Sequence, residues 1–481
     1  MSSTTPIYTN KFSITILGIL SGLCWYLGNG LVGDFWFLVW VAPVPVLLIA
    51  YTNSGSMAFT ASFIAYLIGR MSWFSYLVRV ATLVPAIIFT LILPLVFALI
   101  IIAARQVVKK TNAWYSVFAF PALFTAFEYL VFKFSADGTA ASVAYSQANC
   151  LPLVQVVSIT GILGITFFVT LVPSAIALAW YFRQEKSKSK WVMISTGIPI
   201  IAILLFGFLR LNSNSPTNTI KAGIAVLDEK AHNTSDRPNP EKDSRTTAGY
   251  LQQVSKLAVQ GAQVVLFPER ALSLDKLSGD SIIKALSAVA KQNHVYIITG
   301  YTNLRGEKER NSSLVIDANG NIVLDYDKRH LVTGFESQFT PGNQIGLFKF
   351  AGTQMGSAVC KDMDFDSYIR QYGAEKPSIL YVPAWDFIVD DWLHCRMAIL
   401  RGVENGFSEV RAARLGRLTI SDQYGKVTTE ASCSNSQSAS VVGDVSLQHT
   451  DTLYVRFGDW FGVLNLLAAL GFILIGIVKR K

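Results

Sequence analysis

Residues 12 to about 210 are almost continuously apolar, and residues 458–478 are apolar again. A membrane crossing takes about 20 apolar residues in helical form. On that measure, spans are expected near 12–32, 35–52, 58–78, 83–104, 114–132, 153–182, 191–209 and 458–478, eight in all, the sixth long enough to lie partly in the interface. The first is not a cleaved signal peptide: its apolar run is too long, and no A-x-A-like site leads into a soluble region. Between the seventh and eighth spans, residues 212–457 read as a water-soluble domain. The expected organisation is therefore a membrane domain over 1–211, a soluble domain over 212–457, and a final span with a basic tail over 458–481.

Composition agrees and excludes other classes. Hydrophobic residues make up 51% of the chain and charged residues 15%, against roughly 25% charged in soluble domains. The composition argues against a fully soluble cytosolic enzyme and against a disordered chain. Five cysteines in 481 residues cannot form a disulfide scaffold. No CxxC pair or close His/Cys spacing suggests a metal site, so neither metal nor cofactor is expected.

The formal net charge is +9, and the placement of the cations tells what it serves. Arg105, Lys109 and Lys110 follow the fourth span, Arg183, Lys186, Lys188 and Lys190 the sixth, and Lys479, Arg480 and Lys481 the eighth. With the N-terminus in the cytoplasm, all three clusters fall on the cytoplasmic side, as positive-inside topology requires. The soluble domain then falls outside. No basic patch interleaved with aromatics favours nucleic acid.

The soluble region reads as α/β. Short β-branched runs at 220–227, 263–267, 295–301, 312–317, 355–360 and 378–382 suit buried strands. Helix-like stretches lie between them at about 243–260, 279–293, 364–373 and 390–405. Alternation of this kind argues a layered α/β fold. Residues 212–218 form a polar linker, and 228–245 a charged, proline-containing loop.

Three polar residues stand at the ends of such runs, where α/β folds place active sites. Glu269 closes QVVLFPE, Lys328 follows NIVLDY, and Cys360 closes MGSAVC. A thiol needs a base or a cation beside it to become a nucleophile. A carboxylate can take its proton, and a lysine can hold an oxyanion. Each residue alone has an ordinary reading: inert core for Cys360, and a solvated loop for Glu269 and Lys328.

Together, the contexts LFPER, DYDKRHLV and SAVCKD resemble the nitrilase, or carbon-nitrogen hydrolase, superfamily over residues 220 to about 445. That resemblance implies a four-layer αββα sandwich carrying a Glu-Lys-Cys triad: Glu269, Lys328 and Cys360. A domain of this kind after seven spans and before an eighth resembles the apolipoprotein N-acyltransferase family. Residues 142–169, the lysine loop ending in Glu336, the stretch 392–406 and residues 456–465 resemble the corresponding segments of that family. Departures are visible too. Lys361 stands where the family has an aromatic residue, Asp362 fills the acidic place that follows, and VPAWDF with Trp385 only partly matches the usual Asn-Asp-Ala-Trp. A lysine beside the thiol could lower its pKa.

The resemblance implies a multi-pass enzyme of the bacterial inner membrane, with its catalytic domain on the extracytoplasmic side. Its acyl donor would be a membrane phospholipid, and its acceptor the α-amine of a diacylglyceryl-cysteine lipoprotein. Glu336 is expected to support Lys328 or to close over substrate, and Lys361, Asp362 and Trp385 to support the site. Two other functions compete: a membrane-tethered amidase or nitrilase that hydrolyses a small C–N substrate, and a non-catalytic membrane protein. A hydrolase needs one anchor rather than eight spans, and the intact Glu-Lys-Cys set weighs against a non-catalytic role. His394 and Cys395 are adjacent and do not face each other on a helix, so local packing accounts for them. Cys24 and Cys150 read as small core residues, and Cys433 as an exposed position in a Ser-rich loop. Arg70 falls inside the third span, where it would either meet a phosphate or snorkel to the surface.

Overall fold

Ala42-Pro43-Val44-Pro45 interrupts the second apolar run, and the two prolines, each lacking a backbone N–H, remove two of the donors a continuous helix would use there. In the computed structural model, which describes residues 11–29, 31–32, 34–212, 218–232 and 239–478, this run is a 3₁₀ turn, Trp36–Trp40, followed by a nine-residue helix, Val44–Thr52. The expected single helix over 35–52 is thus broken. Residues 213–217 of the linker expected over 212–218, residues 233–238 of the loop expected over 228–245, and the basic tail at 479–481 lie outside the described residues; the loop ends earlier than expected, at the helix that begins with Pro240.

The chain divides into two compact units, one of residues 1–135, 141–211 and 459–481, the other of 136–140 and 212–458. In the first unit, among the described residues, six helices are long and apolar enough to cross a membrane: Lys11–Gly28, Leu83–Thr111, Trp114–Phe134, Leu163–Tyr181, Lys186–Asn212 and Trp460–Ile477. Helix Gly55–Ala81 has 27 residues, with the Ser54 hydroxyl accepting from the Met57 amide at its start. Arg70 and Arg79 make it less apolar than the other six. The long sixth run is also broken: Leu151–Val154 and Val157–Thr160 are single turns, and the continuous helix begins only after a turn at Gly161. Lys11–Gly28 and Gly55–Ala81 pack closely through small residues. A Cβ on Gly69 would come within 2.5 Å of the Trp25 Cβ.

Polar contacts sort the ends of this unit. At one end, Arg105 donates to the Asn53 carbonyl (2.8 Å), Lys110 to the Val478 carbonyl (3.0 Å), and Lys109 to the Tyr181 hydroxyl (3.5 Å). At the other, Trp460 Nε1 donates to the Ile159 carbonyl (2.9 Å), Arg210 to Gln155 (3.0 Å), and Lys133 pairs with Asp459. The chain leaves this unit after Leu211 and re-enters it at Asp459, both beside the contacts of the second end, opposite Arg105, Lys109 and Lys110.

The second unit contains β1 (Thr219–Val226), β2 (Val264–Leu266), β3 (Leu272–Leu274), β4 (Tyr296–Asn303), β5 (Arg310–Ile316), β6 (Ile322–Asp327), β7 (Gly346–Phe350), β8 (Thr353–Ser357), β9 (Ile379–Trp385), β10 (Ser408–Arg414), β11 (Arg417–Ser421), β12 (Val427–Ser432) and β13 (Ala439–Ser446). One sheet runs β13-β1-β2-β4-β5-β6, with β3 also on β4; the other runs β12-β11-β10-β9-β8-β7. Period-two alternation assigns the faces. Ile220, Ala222, Ile224 and Val226 of β1 pack with Met355, Ile379, Tyr381, Val410 and Ile420 of the other sheet. Ala225, on the opposite face, packs with Tyr250, Val254 and Leu257 of helix Pro240–Val259 and with Ile282 and Leu286 of helix Gly279–Asn293. Leu380 and Val382 of β9 meet Ile369 of helix Asp366–Ala374 and Ala398 of helix Asp391–Asn405. The layers are therefore helix, sheet, sheet, helix, and the protein combines a multi-helix apolar region with an αββα sandwich.

Residues Ala136–Ala140 belong to this second unit although sequence places them between apolar helices. The Thr139 amide and hydroxyl both donate to the Asp364 carbonyl (2.9 and 2.7 Å), and Arg401 Nη2 donates to the Thr139 hydroxyl (2.7 Å).

Candidate active site

The sequence SAVCKD ends β8 at Ser357 and turns sharply at Cys360, whose φ is +43°. A non-glycine residue in the left-handed region is held there by its surroundings, a form of strain that concentrates at functional sites. The 3₁₀ turn Cys360–Asp364 begins at this residue. Asp362 fixes the turn. Its carboxylate accepts from the amides of Val359 (3.0 Å), Arg329 (3.2 Å) and His330 (2.9 Å) and from the Tyr326 hydroxyl (2.6 Å), and pairs with His330 Nδ1 (3.0 Å). One buried carboxylate thus ties the cysteine turn to the loop that carries the lysine.

That loop places Lys328 through main-chain bonds. Its amide donates to the Asn311 carbonyl (2.8 Å), and its carbonyl accepts from the Gly342 amide (2.9 Å). Lys328 is 1% exposed. Its Nζ lies 2.7 Å from Glu269 Oε1 and 2.8 Å from Glu336 Oε2. Asn311 Nδ2 donates to the same two carboxylates, at 2.6 Å to Glu269 Oε1 and 2.5 Å to Glu336 Oε1. The Val332 amide gives Glu336 a further bond at 2.7 Å. Glu269 follows β2 by three residues, its amide donating to the Ala384 carbonyl of β9 (3.3 Å). Gly300 of β4 lets this backbone come close: a Cβ there would lie 2.5 Å from the Glu269 Cα.

Burial and charge work against each other in this cluster. Burial disfavours the Lys328 ammonium, but Glu269, Glu336 and the thiol outweigh it and hold its pKa well above the usual lysine range. Burial raises the Glu336 carboxyl, but Lys328 and the donated hydrogen bonds bring it below the ordinary carboxylate value. Cys360 keeps some exposed surface, yet protein crowds the sulfur. Burial and the Glu269 charge push the thiol well above its usual range, with Lys328 and Arg411 acting in the opposite direction. The resting group is a neutral thiol, so it needs a base at the moment of attack. Sγ donates to the Trp385 carbonyl at 3.7 Å.

Glu269, Lys328 and Glu336 come together in one hydrogen-bonded cluster, with Cys360 close enough for its thiol to feel the charges of Glu269 and Lys328. Lys361 adjoins the thiol in sequence, but its ammonium pairs elsewhere. Its Nζ turns away to Asp137 (2.5 Å), because the Ala136–Ala140 segment supplies a carboxylate there. Trp385 ends β9 with its ring under the Arg414 guanidinium, 3.7 Å from the ring centre. Asp386 next to it binds Arg411 through both oxygens (2.6 and 3.0 Å). Cys433, expected to be exposed, is 1% exposed, its thiol donating to the Ala413 carbonyl at 2.9 Å. Cys395 is buried in helix Asp391–Asn405, and His394 beside it pairs with Asp390 (2.5 Å). Burial lowers the imidazole and the Asp390 charge more than reverses it, to about 9.

Asn311 is the residue the sequence reading missed. Strand alternation offered a signal: Asn311 and Ser313 lie on the β5 face that carries Val315, and Ser313 meets Ser357 of the facing sheet at 2.8 Å. That polar pair marks where the apolar interior gives way to the site. Among the described residues, no group of three or more His, Cys, Asp or Glu side chains could hold a metal ion.

Chemically, the cluster can take a thiol proton, stabilise an oxyanion with an ammonium, and present a strained nucleophile at a turn between two sheets. Comparison with known proteins gives it a family. Residues 236–457 match the carbon-nitrogen hydrolase model, and residues 17–175 the apolipoprotein N-acyltransferase N-terminal domain model. An apolipoprotein N-acyltransferase from Geobacter metallireducens is 23% identical, covering 88% of each chain. One from Rickettsia prowazekii is 23% identical over 96% of this chain and 97% of its own. Among solved structures, an amidase from Nesterenkonia sp. is 17% identical, covering 50% of this chain and 92% of its own with a TM-score of 0.41. With both halves matched in their proper order and such relatives aligned along almost its entire length, the chain belongs to the apolipoprotein N-acyltransferase family.

Proposed function

We propose that this protein moves a fatty acyl chain from a membrane phospholipid, through a thioester on Cys360, to the α-amine of a diacylglyceryl-cysteine lipoprotein. The observation that carries this reading is the buried ammonium of Lys328 held between Glu269 and Glu336 beside the Cys360 thiol, in a chain whose relatives are named as N-acyltransferases.

Glu269 takes the proton of the Cys360 thiol as sulfur attacks the ester carbonyl. The tetrahedral oxyanion is held by Lys328 Nζ and by the backbone N–H of Lys361. On collapse, the C–O bond breaks, Glu269 returns its proton to the leaving alkoxide, and a lysophospholipid departs. The acceptor amine then attacks the thioester carbonyl, Glu269 takes a proton from nitrogen, and the C–S bond breaks. The thiolate recovers that proton and the N-acylated product leaves. A neutral resting thiol and an adjacent carboxylate suit this order, since charge appears at sulfur only when an acyl group is in reach. Glu336 and Asn311 position Lys328 and Glu269. The soluble domain is assigned to the extracytoplasmic face of the bacterial inner membrane, supported by the gathering of Arg105, Lys109 and Lys110 at the bundle end away from Leu211 and Asp459.

Mass measurement tests the reading. The purified protein incubated with phospholipid and no acceptor should gain one acyl chain, labile to hydroxylamine, on the peptide containing Cys360. A diacylated lipopeptide should discharge it. Hydrolysis of a small amide without any adduct of this kind would instead make the protein a tethered amidase.

A further inference from the structure

Within the helical unit, a small cavity that admits the centres of water-sized groups over about 30 Å³ lies among Trp25, Asn29, Tyr66, Arg70, Trp73 and Ser142. Arg70 sits in the middle of helix Gly55–Ala81 and is only 6% exposed, so it does not snorkel to the surface. Its guanidinium stacks over the Trp73 ring, 4.6 Å from the centroid, and its Nε is buried without a hydrogen-bond partner among the described residues. Trp25, 3% exposed and lining the same cavity, likewise has a buried indole N–H with no acceptor among the described residues. Asn29 is committed elsewhere, donating to the Ser72 hydroxyl while its oxygen accepts from the Leu31 amide.

A nearby carboxylate does not resolve this. Glu128 is buried in the same unit, but it accepts from the Ser142 hydroxyl (2.9 Å), the Val143 amide (2.9 Å) and the Thr166 hydroxyl (2.5 Å), and forms no ion pair with Arg70 among the described residues. A buried cation with no counter-ion is costly, and an intramembrane charge of this kind marks a functional site. Two orphaned donors on one cavity, one of them charged, call for an acceptor that is anionic.

We infer that this cavity binds the phosphodiester group of a membrane phospholipid, with Arg70 Nε–H and Trp25 Nε1–H donating to its non-bridging oxygens. The shared chemistry is a phosphate oxyanion, which a free phosphate could also supply. The choice of lipid rests on reading the protein as a membrane enzyme that uses phospholipid, but the site itself lies in the helical unit and does not involve the thiol.

The test is the thermal midpoint, Tm, of the full chain in detergent, in a Cys360→Ala background so that no acyl transfer can occur. Three probes are compared: dihexanoyl phosphatidylglycerol, inorganic phosphate and dioctanoylglycerol. A ligand that binds only the folded state raises Tm. The phospholipid should do so and the phosphate-free diacylglycerol should not. Arg70→Gln should weaken apparent phospholipid affinity by about tenfold or more, as expected for a lost hydrogen bond to a charged group. Trp25→Phe keeps the ring, removes the donor and should weaken it several-fold, which keeps the proposal testable if Arg70→Gln does not fold. Equal stabilisation by inorganic phosphate would make this a free-anion site and overturn the lipid assignment. Undiminished phospholipid affinity in Trp25→Phe and in any folded Arg70→Gln would remove the site altogether. Because the readout is binding alone, loss of acyl transfer for any other reason would leave the result unaffected.

Discussion

Lys328 and Glu336, eight residues apart on one loop, meet as an almost completely buried ion pair at 2.8 Å, while the same ammonium reaches Glu269 at 2.7 Å. One positive charge therefore serves two carboxylates. Removing it should do two things. Losing an oxyanion donor costs about 10²–10³ in rate, and two buried carboxylates without a counter-ion cost about 3–5 kcal/mol of stability unless one takes up a proton. Lys328→Met should accordingly lose acyl-enzyme formation and unfold at a lower temperature. Lys328→Arg should rescue poorly, because a planar guanidinium cannot reproduce the point contacts of an ammonium. Thioester formation near the wild-type rate in folded Lys328→Met would take the lysine out of the chemistry.

Asn311 bridges the same carboxylates from the opposite side. A hydrogen bond to a charged group contributes about 1.5–3 kcal/mol. Asn311→Ala should slow acylation of Cys360 by roughly 10- to 100-fold while leaving the nucleophile in place. Asn311→Asp should be worse, since it adds a third negative charge beside Glu269 and Glu336. Single-turnover acylation measured by mass spectrometry separates these; an Asn311→Asp variant as fast as Asn311→Ala would mean that charge at this position does not matter.

How much of this could be read from residues alone depended on burial and on distance along the chain. Strands β1, β2, β4, β5 and β9 carry apolar runs and were legible. β10, SEVRAAR, is buried at every position yet holds Glu409, Arg411 and Arg414, so no hydrophobic pattern exposes it; Arg411 and Arg414 are satisfied by Asp386 and Glu229, remote in sequence. The three residues Glu269, Lys328 and Cys360 were legible because each follows an apolar run. Asn311 and the turn of Lys361 toward Asp137 were not, because both depend on partners supplied from elsewhere in the fold. The two prolines at 43 and 45 could have warned that the second apolar run does not continue as one helix, but hydropathy averages over such breaks.

Glu409 offers a test by pH. Both its carboxylate oxygens are buried without hydrogen-bond partners among the described residues, and burial pushes its pKa up to about 8, with Arg411 and Arg396 pulling only part of the way back. Its ordinary value is 4.5. Between those two values the folded state holds a proton that the unfolded state releases. Its contribution to stability is therefore complete below the lower value and is lost as pH rises toward the upper one, at up to about 1.4 kcal/mol per pH unit. Glu409→Gln, neutral throughout, should show a flatter fall in thermal midpoint across pH 5–8 than the wild type. Parallel curves for the two proteins would mean that Glu409 does not titrate in this window.

Topology is open to reporter fusions. If Arg105, Lys109 and Lys110 mark the cytoplasmic end of the helical unit, a fusion at residue 250 should report an extracytoplasmic position and one after Lys481 a cytoplasmic position. A residue-250 fusion active only in the cytoplasm would reverse the orientation and remove outer-leaflet lipid as the donor.

The nucleophile is the most direct test. Cys360 alone among the five cysteines has a positive φ and sits beside a buried lysine and glutamate, whereas Cys395 and Cys433 are buried in the sandwich and Cys24 and Cys150 lie in the helical unit. Cys360→Ala should abolish both half-reactions without unfolding the domain, because a small side chain at a turn contributes little packing. Cys360→Ser should be almost as inactive: a hydroxyl is far harder to deprotonate than a thiol, and one carboxylate is a weak base for it. Since the thiol is held well above its usual pKa, its alkylation by a neutral maleimide should be slow at pH 7 and should accelerate as pH rises past 9. The other four cysteines changed together to Ala should leave acyl transfer largely intact. Full acyl transfer by Cys360→Ala would end the thioester mechanism; a fast, pH-independent alkylation at neutral pH would instead indicate a preformed thiolate, with no need for Glu269 as base in the first half-reaction.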